Sequence, residues 1–531
     1  MKLKSHYKMN KIVACMFLFL MCCSQHVSAQ RTSSSLPWSE LSPGTYRVGY
    51  RVIYGFDRSR TWRITRPYNK KFSPDLDGRP VRVSVWYPAV VRPTSSPMRI
   101  SDYIHASGPR NFDEPNAFLE KRDRRVLAEM APPESLAAMF ATPMNAHANA
   151  PVAIGRFPLV LYSGGVNPYT LSNGIMAEWL ASHGYIVATV PSLGPSNQQP
   201  EQMFTSTEVE ASVRDLEFAW SLLRNQPNVD NSKLAVFGHS LGGTVAMIFA
   251  MQNTNVSAAI GLDGTYGFTQ GSETLTKYYG YAPQNVRFSL LDVRRANATL
   301  NLSGVEVFHH SERYFVTLSN VLHGDFTTFV VIARAFHLPP PSNPPNGWTR
   351  ETGYQGFLRT CQIVRDFLDA KLKEDSRGLE RLRIDVTQTT GVTFRTEQAL
   401  PSPPSPSEFA ALIRDQGYDA AVQVVDLFRR DEPGESVVDE RAMNSLGYSL
   451  AGERRFDDAI GVLKLVAYVY PDSANAEDSL GDAYLAAGQS NKARAAYQKA
   501  LELISSDPRL DLDTRKSFTR DERIKIEQLK P

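Results

Sequence analysis

The chain has almost no cysteine. Four occur in 531 residues, and Cys15, Cys22 and Cys23 lie within the first 23. Only Cys361 remains beyond that stretch, so the rest of the chain cannot close a disulfide within itself. Cys361 sits in Gly356–Leu368, an apolar pattern of helical period, and reads as a core residue rather than a reactive thiol. A charge excess is missing as well. The formal net charge is +3, and it falls to −1 once Lys2, Lys4, Lys8 and Lys11 are set aside. That balance offers no basis for nucleic-acid binding. Spaced metal ligands are lacking too. His309-His310 is a bare pair without carboxylate or cysteine spacing and reads as a surface loop, so neither a metal nor a cofactor is expected.

The four lysines belong to a basic segment, Lys2–Lys11. It is followed by the apolar run Ile12–Met21, which is too short to span a bilayer comfortably. Val27-Ser28-Ala29 then supplies small residues of the kind found at cleavage sites. Residues 1–29 therefore read as a signal peptide, with a mature start at Gln30 and export to the periplasm or beyond. Neither Cys22 nor Cys23 follows a small residue, so lipidation is not expected. With 42% hydrophobic and 21% charged residues the composition is globular, and the length calls for two or three domains.

The most informative stretch is residues 232–243, Ser-Lys-Leu-Ala-Val-Phe-Gly-His-Ser-Leu-Gly-Gly. Lys233–Phe237 reads as a buried strand and Thr244–Gln252 as an apolar helix. Between them, Gly238 and Gly242 flank Ser240 in a Gly-x-Ser-x-Gly pattern. A sharp strand-to-helix turn leaves no room for side chains two residues either side of its tip, and it exposes the central hydroxyl near a helix N-terminus. A serine hydroxyl needs a base, and the base needs an orienting acid; in this arrangement the chain order is serine, acid, histidine. The apolar strand Val256–Gly264 ends in Asp263 and Gly264, and His323 lies in the loop after the strand Arg313–Ser319. Asp292 competes for the acid role because it ends a further candidate strand, 285–292. Asp325, two positions from His323, is a weaker candidate.

Strand and helix patterns alternate from Phe157–Tyr162 through Asn173–His183, Tyr185–Val190 and Glu208–Asn225 to Asp263. The alternation predicts an α/β fold: a parallel sheet with helices on both faces and its site at the carboxyl ends of the strands. Gly44–Ile53 and Arg79–Tyr87 alternate polar and apolar residues and read as antiparallel edge strands. Residues 100–150 look helical without a strand pattern, either a lid or a passive excursion. Residues 30–376 form this domain and 377–406 a linker, proline-rich in Leu400–Pro406. Residues 407–531 are helical and repetitive, forming an all-α module. Leu446-Gly447 and Ala459 recur at an offset of 34 as Leu480-Gly481 and Ala493, which resembles tetratricopeptide repeats.

Residues 44–374 resemble the α/β-hydrolases, closest to the platelet-activating-factor acetylhydrolase and dienelactone-hydrolase-like esterases. The carrying segments are Val83–Ala89, Phe157–Gly165, Ser212–Phe218, Gly238–Gly243, Ile260–Gly264 and Leu322–Phe326. The resemblance implies that the acid follows the strand after the elbow, favouring Asp263. It also implies oxyanion donors in the backbone N–H groups of Leu241 and Val166. One departure stands out: Ser163 precedes Gly164-Gly165 where the family usually carries His-Gly. The expected activity is hydrolysis of carboxylic esters, of lipid or short-acyl type, through Ser240, Asp263 and His323. Two alternatives stay open: a peptidase on the same fold, or a catalytically silent fold that binds a protein partner through its repeats.

Overall fold

The computed structural model describes residues 40–63, 78–166, 168–201, 204–296, 299–431 and 437–529; the expected signal segment 1–29 lies outside them. The chain divides between Leu400 and Pro401 into two compact units.

The first unit is built on one sheet. Its strands in chain order are β1 (Arg47–Asp57), β2 (Arg79–Ala89), β3 (Ala146–Ala148), β4 (Phe157–Ser163), β5 (Ile186–Thr189), β6 (Val229–His239), β7 (Val256–Leu262), β8 (Ser289–Arg295), β9 (Arg313–Leu318) and β10 (Val392–Glu397). Their spatial order is β10-β9-β8-β7-β6-β4-β5-β2-β1-β3. The block from β5 to β9 is parallel throughout. β2 joins β5 and β1 antiparallel, and β10 joins β9 antiparallel.

Alternate residues of the parallel strands feed two cores. Val160, Tyr162, Ala235 and Phe237 face one, with Trp179 of helix Gly174–Ser182 and Phe357 and Cys361 of helix Arg350–Leu372. Leu159, Leu161, Leu234 and Val236 face the other, with Val213 and Leu216 of helix Ser206–Leu223 and Val245 and Ile248 of helix Leu241–Gln252. Both faces are covered, which is why these strands read as continuous apolar runs rather than as alternation.

Three expectations need correction. First, β2 is an interior strand, buried along its whole length between β1 and β5. Its polar Arg79, Arg82 and Ser84 are buried, so the alternation reflected buried polar side chains and not solvent on one face. Second, residues 100–150 do hold helices, Ile100–Ile104, Asp113–Met130 and Pro133–Phe140, but they return to the sheet as β3, which pairs parallel with β1. Three residues are too few to show a period of two. Third, residues 377–397 are not linker. Helix Ser376–Thr387 leads into β10, which extends the sheet from Val392↔Leu318 to Glu397↔Arg313. β10 is a partly exposed edge strand with only Val392 and Phe394 as apolar residues, a weak pattern on its own. Even the proline run ends inside an element. Pro406 opens helix Pro406–Gln416, and Ser405 and Glu408 cap it reciprocally.

In the second unit the 34-residue offset has a packing cause. Helix Glu440–Gly452 packs on Phe456–Val469, and Ala474–Ala486 packs on Ser490–Leu503. A Cβ on Gly447 would collide with Leu463, and one on Gly481 with Tyr497. Ala459 and Ala493 are fully buried. The repeated small residues are therefore the close-approach points of successive helix pairs. Among the described residues no helix is long and apolar enough to cross a membrane.

Candidate active site

β6 runs directly into Ser240, and helix Leu241–Gln252 starts at the next residue. A Cβ on Gly238 would overlap the backbone at Gly242, and one on Gly242 would overlap the carbonyl of Ser163. Glycine is thus required at both positions by close approach. Ser240 itself has φ 56° and ψ −124°, a positive φ that non-glycine residues rarely adopt. The strain is held by neighbours: Ser240 N donates to Leu262 O at 3.1 Å, and Thr265 N donates to Ser240 O at 2.9 Å. Gly165 lies against the serine, where a Cβ would stand 3.0 Å from Ser240 Cβ.

Asp263 follows the last residue of β7 and also has a positive φ, 44°. Its side chain is fully buried, and its N–H donates to Val293 O at 2.7 Å. His323 opens a short 3-10 turn, His323–Phe326, after β9. Its Nδ1 lies 2.5 Å from Asp263 Oδ2. Burial alone would push the Asp263 carboxyl up. The His323 hydrogen bond and the charges of His323 and Arg295 outweigh it and hold the group below the usual carboxylate range.

The structure therefore brings the predicted acid and histidine into contact and sets Ser240 at the tip of its turn. It does not bring Ser240 Oγ into hydrogen bonding with His323. Such contacts commonly tighten only when substrate binds. Of the expected donors, Leu241 is buried at the first position of its helix, where the N–H has no intrahelical acceptor. Val166 is exposed, one residue beyond Gly165.

The competing acids have other partners. Asp292 lies inside β8 rather than at its end, and it accepts from Tyr266 Oη and from Arg294 through both Nε and Nη2. Asp325 faces away from the site. Its Oδ2 accepts from Leu322 N and from Trp348 Nε1, each at 2.7 Å, and burial keeps its carboxyl above the usual range. Asp325 thus pins the loop that carries His323. His310, read from sequence as part of a surface loop, is buried against the chain near Leu400. No group of His, Cys, Asp or Glu among the described residues is arranged to hold a metal ion.

Two neighbours of the site were not legible in sequence. His239 donates from Nε2 to His323 O at 2.9 Å, and the two rings lie 4.6 Å apart. Burial, followed by the adjacent His323, pulls its pKa down to about 3, so it stays neutral. Its place in the elbow motif was the only available signal. Arg295 ends β8 and places Nε 3.0 Å from Asp263 Oδ2. Its position at a strand end beside β7 could have marked it.

Sheet order, elbow and acid–histidine pair together define an α/β-hydrolase fold followed by an all-helical region. Comparison with known proteins adds a narrower likeness. The chlorophyllase family model matches residues 125–293, about a third of the chain. That span includes Ser240 and Asp263 and stops before His323. A chlorophyllase type 0 from Chenopodium album is 29% identical over 155 residues, covering 27% of this chain and 44% of the relative. Cutinase 1 from Thermobifida cellulosilytica is 31% identical over 104 residues, covering 19% of this chain and 38% of the relative. The chain thus spans less than half the length of these relatives. A ferulic acid esterase structure from Streptomyces cinnamoneus aligns with a TM-score of 0.48 and 20% identity, covering 66% of this chain and 98% of the other.

Proposed function

We propose that the first unit is a serine hydrolase that cleaves carboxylic esters. The observation that carries this reading is the contact of His323 Nδ1 with Asp263 Oδ2 on the side of the sheet where Ser240 sits in a strained turn. The matches to chlorophyllase and cutinase sequences favour an ester over an amide.

In the reaction, Ser240 Oγ attacks the ester carbonyl carbon while His323 Nε2 takes the hydroxyl proton. Asp263 fixes the tautomer with the proton on Nδ1 and stabilises the imidazolium that forms. The backbone N–H groups of Leu241 and Val166 stabilise the tetrahedral oxyanion; losing one such donor typically costs about 3 kcal/mol. Collapse of this intermediate breaks the ester C–O bond, and His323 returns its proton to the leaving alcohol. Water, deprotonated by His323, then attacks the acyl-serine and releases the acid.

Export follows from the leader at residues 1–29, and the substrate falls among lipid or short-acyl esters. The narrower likeness to platelet-activating-factor acetylhydrolases belongs to this reading. The helical unit is tetratricopeptide-like and recruits a protein partner.

The test is covalent. A fluorophosphonate should label Ser240, and Ser240→Ala should lose both the label and about six orders of magnitude in turnover of a short p-nitrophenyl ester. A label elsewhere, or ester turnover surviving in Ser240→Ala, overturns the assignment. Faster cleavage of peptide anilides than of esters would favour the peptidase reading.

A further inference from the structure

Asp263 Oδ2 has two partners at ion-pair distance. His323 Nδ1 approaches from the loop after β9, and Arg295 Nε approaches from the end of β8. The two contacts differ in kind. His323 makes a hydrogen bond at 2.5 Å. Arg295 Nε lies at 3.0 Å without hydrogen-bond alignment, so its contact is ionic. Asp263 Oδ1 is buried and has no hydrogen-bond partner. The guanidinium is itself held over the Phe268 ring, 5.9 Å from its centre.

While His323 is neutral, an Asp263 carboxylate with no exposed surface would be an uncompensated buried charge, which is strongly disfavoured. Arg295 supplies the missing countercharge. Once His323 takes up a proton, the same carboxylate faces two cations. The arginine therefore favours the neutral histidine over the charged one. The groups that face His323 are Asp263 from the end of β7, Arg295 from the end of β8 and the neutral His239 from the end of β6. Asp325, in the same turn, is engaged with Leu322 N and Trp348 instead.

We propose that Arg295 is a positioning residue of this site: it balances the Asp263 carboxylate while His323 is neutral, competes with protonated His323 for that carboxylate and so extends hydrolysis toward acid pH. The inference rests on the triad reading above and goes one step beyond it.

The experiment measures the pH dependence of fluorophosphonate labelling and of kcat/KM for a short p-nitrophenyl ester, in wild type, Arg295→Gln, Arg295→Met and Arg295→Lys. The neutral variants should move the acid-limb midpoint up by about one pH unit, the scale of one nearby charge. Arg295→Lys should stay near wild type, because it restores the charge without the guanidinium shape. A role in folding alone would lower the fraction of active protein and leave the midpoint unmoved. Coincident midpoints in wild type, Arg295→Gln and Arg295→Met overturn the inference and leave the triad standing. Absence of any label on wild-type Ser240 overturns the triad, and this inference with it. Should the neutral variants not fold, the wild-type midpoint decides the matter through salt: Arg295 is about 30% exposed, so 1 M salt should raise the midpoint, and a salt-independent midpoint counts against it.

Discussion

Two buried aspartates on neighbouring strands, each beside an arginine, have opposite surroundings. Asp292 lies within β8, and its oxygens take Arg294 in two-point contact and the Tyr266 hydroxyl besides. Asp263 lies just past the end of β7, in a positive-φ conformation, with one oxygen shared by His323 and Arg295 and the other unpartnered. Both side chains are fully buried. A saturated carboxylate inside a strand can only hold structure together. An incompletely satisfied one at a strand end, aimed at a histidine, can respond to proton transfer. Strand position separates the two pairs, since the residue after a parallel strand is the one that reaches the open end of the sheet.

Exchanging the charge of each carboxylate should break this comparison in opposite directions. The largest effect is expected for Asp263→Asn, which leaves the site's shape but removes the anion that fixes the His323 tautomer. Turnover of a short ester should fall about four orders of magnitude with little change in the urea midpoint. Normal turnover in this variant would end the assignment of Asp263 as the acid. Asp292→Asn should do the reverse. It leaves Arg294 buried without its countercharge, so stability should drop by about 3–5 kcal/mol while kcat per folded molecule stays near wild type. A loss of kcat without a loss of stability would return Asp292 to the list of candidate acids.

A third buried carboxylate sharpens the contrast. Glu522, in helix Leu512–Gln528, has no exposed surface and no hydrogen bond to either oxygen. Burial, then the nearby Asp478, pushes its carboxyl up to about 8, against the pull of Lys525. Because the folded value is raised, the docking free energy of this helix is full below the unfolded value of about 4.5 and is lost as pH rises toward 8. Hydrogen-exchange protection factors of residues 512–528 should therefore fall by about two orders of magnitude between pH 5 and 8, and Glu522→Gln should flatten that slope. A slope unchanged in Glu522→Gln would count against the glutamate as its source.

The smallest effect is expected from removing the second unit. Its core, around Leu463, Val466 and Leu480, is its own. A chain ending at Leu400 keeps β10 and should hydrolyse a short ester at close to the full-length rate. One ending near residue 376 would lose β10, expose the edge of β9 and lose solubility. Equal behaviour of the two truncations would show that β10 does not protect that edge.

The elbow was legible in the residues themselves. Gly238 and Gly242 are forced by backbone overlap, and such close approach admits no side chain, so the requirement is written in residue type. Gly447 and Gly481 are legible for the same reason. The apolar runs of β4, β6 and β7 were equally plain, because burial on both faces leaves no polar residue to interrupt them. Asp263 was ranked above Asp292 only by the family resemblance and its place after the strand beyond the elbow, not by the local residue pattern. Both follow or occupy apolar runs, and the difference lies in where each strand ends and in the register Gly261↔Asp292 that sets Asp292 inside β8 while Asp263 stands past the end of β7. Sequence could not place β10, whose pairing energy comes from β9, or Arg295, whose role depends on a carboxylate 32 positions earlier in the chain. Local sterics and burial act through the residue that bears them and can be read one position at a time. Charge pairing and strand register act between distant positions, and only the folded sheet decided those.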